Sequence, residues 1–172
     1  MKRFMLIILL LLSIYLYSIS NKKEEIVVPD TAIRFRILAN SNTAYDQNVK
    51  LKVKERLEEE LFYILSTAKN PEESDILIKS NLNNIDNIVK EELSNEKYSY
   101  SINYGMNYFP EKEYKGVKYN EGEYKSLLVT LGKGEGDNFW CVLFPPLCMM
   151  ETDETTEVEY KFLIKDTLEK YF

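Results

Sequence analysis

Residues 33–41 read Ile-Arg-Phe-Arg-Ile-Leu-Ala-Asn-Ser, and this stretch predicts the first strand of the fold. Apolar and basic side chains alternate in it with a period of two, which is typical of a β-strand with one buried face. The apolar side chains are expected to face the core, and Arg34 and Arg36 to face the other side. The polar run Asn40-Ser41-Asn42 then predicts the end of the strand.

Two helices are predicted after this strand. Thr43 and Asp46 have the spacing of a capping box, in which the hydroxyl accepts from an early helix amide and the carboxylate reaches back to the cap amide. The first helix has an apolar stripe at intervals of three or four residues: Val49, Val53, Leu57, Leu61, Ile64 and Leu65. Asn70-Pro71 predicts the start of the second helix, with its own stripe at Ile78, Leu82, Ile85, Val89 and Leu93. Together they predict a helix hairpin.

The second half of the chain predicts strands. From Tyr98 the apolar period falls to two, which predicts a long strand that ends before Pro110. Shorter strands are predicted at residues 113–119, 124–131 and 138–144, and mostly short loops between consecutive strands favour an antiparallel meander. An amphipathic segment at 158–171 predicts a C-terminal helix. The predicted fold is α+β with two layers, a mostly meander antiparallel sheet covered on one face by the helix hairpin.

Composition excludes several classes of function. The 172 residues include two cysteines and no histidine, which rules out Ser-His and Cys-His catalytic couples and two-histidine zinc sites. The net charge of −6, without a long basic run, argues against nucleic acid and against strong attraction to anionic lipid. No cofactor is expected, and no metal.

The N-terminus has the three parts of an export signal. Lys2 and Arg3 precede an uncharged apolar run from residue 4 to 19, and small residues follow at the candidate cleavage site, Ser18, Ser20 and Asn21. Residues 1–20 are interpreted as a signal peptide or an uncleaved anchor, 21–30 as a linker, and 31–172 as one domain outside the cytoplasm. Without residues 1–20 the net charge is −8.

A glycine-rich segment and two acidic runs resemble phosphate-binding or catalytic elements, but their sequences favour other interpretations. Gly132–Gly136 lacks the Lys-Ser/Thr and the following helix of a phosphate loop, so a hairpin turn is predicted. Acidic runs at 58–60 and 151–154 are predicted to be solvated. Carboxylates are still numerous enough that composition alone does not exclude a glycosidase-like pair.

Cys141 and Cys148 flank Pro145-Pro146 and form the candidate disulfide. A cysteine pair in an exported chain is more often bonded than free, and so short a loop would add about 2–3 kcal/mol of stability on the chain-entropy model. Two buried thiols are the alternative. Mass spectrometry after alkylation without reductant distinguishes them.

A polar set surrounds the end of the first strand. Its members are Arg34, Arg36, Asn40, Ser41, Asp46, Gln47 and Lys50. Two interpretations stay open: the arginines dock a carboxylate of a partner, or they pair with the protein's own acidic residues while Asp46 caps the helix.

Two segments resemble the stage II sporulation protein R family. The first is Ile33–Ser41 with Asp46, Gln47 and Lys50, and the second runs from Tyr119 through the glycine turn to Phe139-Trp140-Cys141-Val142-Leu143-Phe144-Pro145-Pro146-Leu147-Cys148. The chain departs from the family pattern at Asn120-Glu121, where Pro-Ala is usual, and at Phe139, where a second tryptophan is usual. The resemblance spans residues 33–148, nearly all of the predicted domain.

This resemblance implies a signalling protein of endospore formation and not an enzyme. It would be exported from the forespore into the space between two membranes, and would there activate a membrane-embedded aspartic-type protease of the mother cell, which processes the precursor of the early mother-cell sigma factor. The candidate contacts with that partner are the seven residues of the polar set and four aromatic residues, Tyr119, Tyr124, Trp140 and Phe144. The alternatives are a carboxylate-dependent cell-wall enzyme acting between the membranes and an anchored structural domain.

Overall fold

The computed structural model describes residues 4–5, 8, 10–14, 26–147 and 156–172. Its strands are β1 (Ile26–Val27), β2 (Ile33–Leu38), β3 (Tyr100–Phe109), β4 (Lys112–Tyr114), β5 (Val117–Tyr119), β6 (Gly122–Leu131) and β7 (Asn138–Phe144). Its helices, numbered from residue 26 onward, are α1 (Ala44–Leu65), α2 (Pro71–Ser80), α3 (Leu82–Glu92) and α4 (Glu157–Tyr171). Within the described ranges, no helix combines the length and the apolar character needed to cross a membrane. The α+β class and the C-terminal helix are confirmed.

β2 lies inside a four-stranded sheet with the order β3-β6-β2-β7. It runs parallel to β6 and antiparallel to β7, and β3 pairs with β6 in antiparallel fashion over ten residues. The meander prediction is therefore wrong, because β2 lies between β6 and β7, the last two strands of the chain. β2 is buried along most of its length, and a central place gives both of its edges hydrogen-bonding partners.

This strand order also corrects the prediction for the glycine-rich segment. Residues 132–137 do not form a hairpin turn, because they join β6 to β7 across the end of β2, a span of two strand spacings or about 10 Å. As the segment passes, the Gly136 amide donates to the Ala39 carbonyl (2.9 Å) and the Glu135 amide donates to the Asn40 carbonyl (3.3 Å). We call residues 132–137 the crossing loop.

One face of the central sheet packs against α1, α2 and α3. The buried set combines the predicted apolar residues of β2 with both predicted helix stripes, and it includes Phe35, Ile37, Val53, Leu57, Leu61, Ile78, Ile85, Val89 and Leu93. The second predicted helix is divided into α2 and α3 at Asn81. The side-chain amide of Asn81 donates to the Leu77 carbonyl (2.8 Å) and so competes with the helix backbone.

The opposite face of the central sheet carries a further layer, which the two-layer prediction did not include. Strands β1, β5 and β4 form a small three-stranded sheet, and α4 packs with it. The shared apolar cluster contains Val28, Ala32, Val117, Val142, Leu147, Tyr160 and Ile164. Residues 26–28 therefore belong to this layer, although 21–30 was predicted to be a linker. Residues 21–25 lie outside the described ranges.

A partly buried carboxylate ties the helices to the sheet. Asp75 of α2 accepts hydrogen bonds from Tyr104 Oη of β3 (2.9 Å), from Lys125 Nζ of β6 (2.9 Å) and from Lys79 Nζ of its own helix (2.8 Å). Burial alone would raise the pKa of Asp75, but the hydrogen bonds from Lys79, Lys125 and Tyr104 outweigh it and lower the pKa to about 2.

The hydrogen bonds of Asp75 predict that the protein loses stability in acid. The Asp75→Asn variant should not show this part of the loss, because asparagine does not titrate. Because the folded-state pKa lies below the ordinary value of 3.8, the stabilisation is fully present above about pH 5 and is lost as the pH falls towards 2. Allowing for solvent at the two lysines, the wild type should lose about 1–2 kcal/mol more than the Asp75→Asn variant between these pH values. Urea unfolding at both pH values measures this difference. Glu72→Gln, at an exposed acid in the same helix, is the control, and equal losses in the wild type and Asp75→Asn would contradict the role of this carboxylate.

Candidate functional site

Five residues of the predicted polar set hold the crossing loop. Asp46 accepts hydrogen bonds from Asn40 Nδ2 (2.8 Å) and from the Ser41 hydroxyl, which lower the pKa of this carboxyl, the bond from Ser41 having the larger effect. Asn40 in turn accepts from the amide of Lys133 (3.0 Å) in the crossing loop. Thr43 caps α1 by accepting from the Asp46 amide (3.2 Å), as predicted. The cap amide itself donates to Ser41 Oγ (3.2 Å) and not to Asp46, so only half of the capping box forms.

Gln47 and Lys50 complete this network. Lys50 Nζ donates to Gln47 Oε1 (2.6 Å) and to the backbone carbonyl of Asp137 (3.0 Å), and Gln47 Nε2 donates to the Ser41 carbonyl (2.9 Å). Burial lowers the pKa of Lys50, and the charge of Asp137 opposes the shift. Asn40, Ser41, Asp46, Gln47 and Lys50 therefore form an internal staple between the start of α1 and the crossing loop.

Arg34 lies in a cage of aromatic rings on the other face of β2. Its side chain is 2% exposed, and its guanidinium carbon lies 3.3 Å from the ring centre of Tyr124 and 5.2 Å from that of Phe109. Nη2 donates to the Asn120 carbonyl (3.3 Å), whereas Nε and Nη1 are buried without a hydrogen-bond partner in the described structure. Burial lowers the pKa of Arg34, and Tyr124, Tyr119 and Asp30 oppose the shift. The predicted alternative was an ion pair between Arg34 and a local acid, and none is formed among the described residues.

Arg36 is the neighbour of Arg34 on this face. Its guanidinium lies 5.3 Å from the ring of Trp140 and 5.8 Å from that of Phe109. With the Asn138 amide oriented to satisfy both groups, its oxygen accepts from Arg36 Nη2 (2.8 Å) and from the Trp140 indole (3.2 Å). Burial lowers the pKa of Arg36. The two arginines thus contact the aromatic side chains of this face through cation–π interactions.

A cavity of about 330 Å³ opens beside these arginines, and we call it the aromatic cavity. Its lining comes from β2, β3, β4, β5, β7, α1 and α4, and includes Arg34, Lys54, Glu58, Phe109, Lys112, Tyr114, Tyr119, Phe139, Trp140, Cys141 and Tyr160. Phe109 packs edge-on against Trp140 with 5.3 Å between ring centres, and the hydroxyls of Tyr119 and Tyr160 are 2.8 Å apart. The volume is that of a small-ligand or short-peptide pocket.

The predicted aromatic contacts fall in different places. Trp140 and Tyr119 line the aromatic cavity, and Tyr124 lies behind Arg34 with its hydroxyl 3.0 Å from the Asn120 carbonyl. Phe144 does not, because it is 1% exposed in the helix-side core, where its ring centre is 5.0 Å from that of Tyr171. Sequence reasoning missed Phe109, Lys112, Tyr114 and Tyr160. The phase of β3 was the available signal for Phe109, since odd-numbered residues of that strand share the face of Arg34.

Two predicted features fall partly or wholly outside the described structure. Cys141 lines the aromatic cavity, but Cys148 lies outside the described ranges, so the Cys141–Cys148 disulfide stays a prediction. The candidate cleavage residues Ser18, Ser20 and Asn21 also lie outside them. Among the described residues, no cluster of three or more cysteine, aspartate or glutamate side chains is placed to hold a metal ion.

Comparison with known proteins gives the family of the chain. The family model described as stage II sporulation protein R matches residues 29–154, which contain both the staple and most of the lining of the aromatic cavity. Stage II sporulation protein R of Bacillus subtilis (strain 168) is 39% identical over 133 residues, which are 76% of this chain and 59% of the relative. No solved structure matches the chain. The resemblance seen in the two sequence segments is thus confirmed, and the chain belongs to the stage II sporulation protein R family, which implies a role in sporulation.

Proposed function

We propose that this protein is an intercompartmental signal of endospore formation. It is exported from the forespore, with residues 1–20 acting as a signal peptide or anchor, and it works in the space between the two membranes. There it binds the extracytoplasmic side of a membrane-embedded aspartic-type protease of the mother cell and activates it, so that the precursor of the early mother-cell sigma factor is processed. A Cys141–Cys148 disulfide is part of this proposal.

The family match over residues 29–154 is the observation that carries the proposal. It is supported by the apolar N-terminal run behind Lys2 and Arg3, which fits export. The aromatic cavity gives further support, because aromatic and arginine side chains are enriched at protein interfaces.

The cell-wall enzyme has less support from the site. Glycoside hydrolysis of the usual kind needs two carboxyl groups on either side of the bond that is broken. The aromatic cavity is lined by one carboxylate among the described residues, Glu58, which is paired with Lys54 Nζ at 3.0 Å. Burial raises the pKa of Glu58, and the hydrogen bond from Lys54 opposes the shift.

Reconstitution in a non-sporulating cell tests the proposal. Co-expression of the full chain, the protease and the sigma-factor precursor should convert the precursor to the processed form on immunoblots. A chain without residues 1–20 is the matched control, since it keeps the domain but is not exported, and it should give no processing. Processing in the absence of the chain, or none in its presence, would overturn the proposed function.

A further inference from the structure

The aromatic cavity has an excess of positive charge in a protein with a net charge of −6. Its lining contains Arg34, Lys54 and Lys112 against one acid, Glu58. Lys54 and Glu58 form an ion pair with each other (3.0 Å). Arg34 and Lys112 remain, and neither forms an ion pair with a carboxylate of the described residues. The lining of the cavity is therefore cationic. Asp30, whose charge also acts on Arg34, accepts a hydrogen bond from the Tyr124 hydroxyl (3.2 Å) and forms no ion pair with the guanidinium in the described structure.

Arg34 makes this excess of positive charge costly. A guanidinium that is 2% exposed has left water, and two of its three nitrogens have no hydrogen-bond partner in the described structure. Buried donors and buried charges lower stability unless an acceptor or an opposite charge meets them. The rings of Tyr124 and Phe109 offset part of this cost through cation–π contacts but accept no N–H bond in the plane of the guanidinium.

The walls of the cavity indicate what kind of anion fits. Phe109, Tyr119, Trp140 and Tyr160 give it apolar surfaces, and Lys112 Nζ lies 5.1 Å from the Trp140 ring at the exposed side. A monoanionic carboxylate on an apolar side chain or peptide matches both the rings and the cations. A free phosphate dianion fits less well, because it would meet the cations but leave the apolar ring surfaces of the cavity in contact with water.

We propose that the aromatic cavity binds a carboxylate carried by an acidic peptide segment, with Lys112 and Arg34 as its counter-charges. This inference rests on the proposed function in one respect: the segment belongs to the extracytoplasmic side of the protease. It goes beyond that function in naming the docking site and the chemistry of the group docked there.

The only tryptophan of the chain, Trp140, lines the cavity and reports on its occupancy. The probes are the peptides acetyl-Leu-Glu-Leu-amide and acetyl-Leu-Gln-Leu-amide, titrated into the ¹⁵N-labelled full chain. The indole N–H cross-peak of Trp140 should shift to saturation with the acidic peptide, at least about tenfold more tightly than with its neutral isostere. Equal affinities for the two peptides, or no shift with either, would overturn the site.

A second titration uses the Lys112→Glu variant and the acidic peptide. Lys112 is exposed in β4, so the variant should keep its fold, and it should bind the acidic peptide about tenfold more weakly. Lys90→Glu, with the same charge change on the exposed side of α3, should bind as the wild type does. Unchanged binding by Lys112→Glu would refute the role of that cation. The titration needs no protease, so its failure is distinguishable from failure of the reconstitution.

The same pair of variants links the cavity to the protease. In the reconstituted cell, Lys112→Glu should lower precursor processing several-fold and Lys90→Glu should leave it unchanged. Full processing with Lys112→Glu would show that the protease docks elsewhere on the protein. The proposed function would still stand in that case, provided that the wild type activates the protease.

Discussion

Replacing Phe109 by alanine should be among the most destabilising single changes in this protein. Its ring is 1% exposed and packs edge-on against Trp140 and Tyr124, with ring centres 5.3 and 6.2 Å away. Both guanidinium groups of β2 also lie within 6 Å of it. Loss of a buried phenylalanine side chain lowers the free energy of unfolding by about 3–5 kcal/mol, and here it also removes a ring that faces the buried Arg34 and the partly buried Arg36.

Met106→Ala is the matched control for Phe109→Ala. Met106 lies on the same strand, but its side chain is 59% exposed, so its truncation should change stability by no more than about 0.5 kcal/mol. Urea unfolding followed by circular dichroism measures both variants. A loss below about 1 kcal/mol for Phe109→Ala would mean that the site collapses around the missing ring, contrary to the close packing described.

The surroundings of Phe109 show what the sequence does not predict about this site. Alternation along β2 separates its core-facing residues from its arginines, because side chains of a strand point to opposite faces. It does not say whether the arginine face is open to water. That face is covered by β1, β4 and β5, which have two or three residues each, too few to show any periodicity.

The order of the strands in the central sheet could not be predicted from the sequence, for a different reason. The preference for neighbouring consecutive strands favoured a meander, but β2 pairs with strands that lie about 90 and 105 residues further along the chain. Such long-range pairing depends on where each strand buries most surface, which local patterns do not encode. Helix starts were predictable because capping is local: Thr43 and Asn70 both accept from the amide three residues ahead.

The staple shows the same division between local and long-range information. The sequence predicts a polar set because its members are close together along the chain: Asn40, Ser41, Asp46, Gln47 and Lys50. Their acceptors and donors in the crossing loop are more than 85 residues away, as for Lys50 Nζ and the Asp137 carbonyl. Five residues predicted as candidate partner contacts therefore make contacts inside the fold, and the proposed partner is better sought at the aromatic cavity.

The second large effect is expected at the crossing loop, for Gly136→Ala. A Cβ at position 136 would overlap the carbonyl oxygen of Ser41 and lie 2.6 Å from its carbonyl carbon and 2.9 Å from the Cβ of Ala39. Most of these atoms are backbone and cannot rotate away, so the loop must lift off the end of β2. That movement breaks the Gly136–Ala39 hydrogen bond (2.9 Å) and strains the staple. Overpacking of this kind should lower the free energy of unfolding by about 3 kcal/mol.

Gly105→Ala makes the same chemical change where there is room for it. Position 105 lies in β3, and the nearest atom to an added Cβ is Asn103 Oδ1 at 3.7 Å. Alanine limits the unfolded chain more than glycine does, so this variant should be neutral or more stable by up to about 1 kcal/mol. Urea unfolding of both variants, with hydrogen exchange at the Asp137 amide (2.6 Å from Asn42 Oδ1) as a local reporter, separates the two cases. Equal stabilities would mean that the crossing loop is not pressed against the end of β2, and the contacts of the staple would then need another explanation.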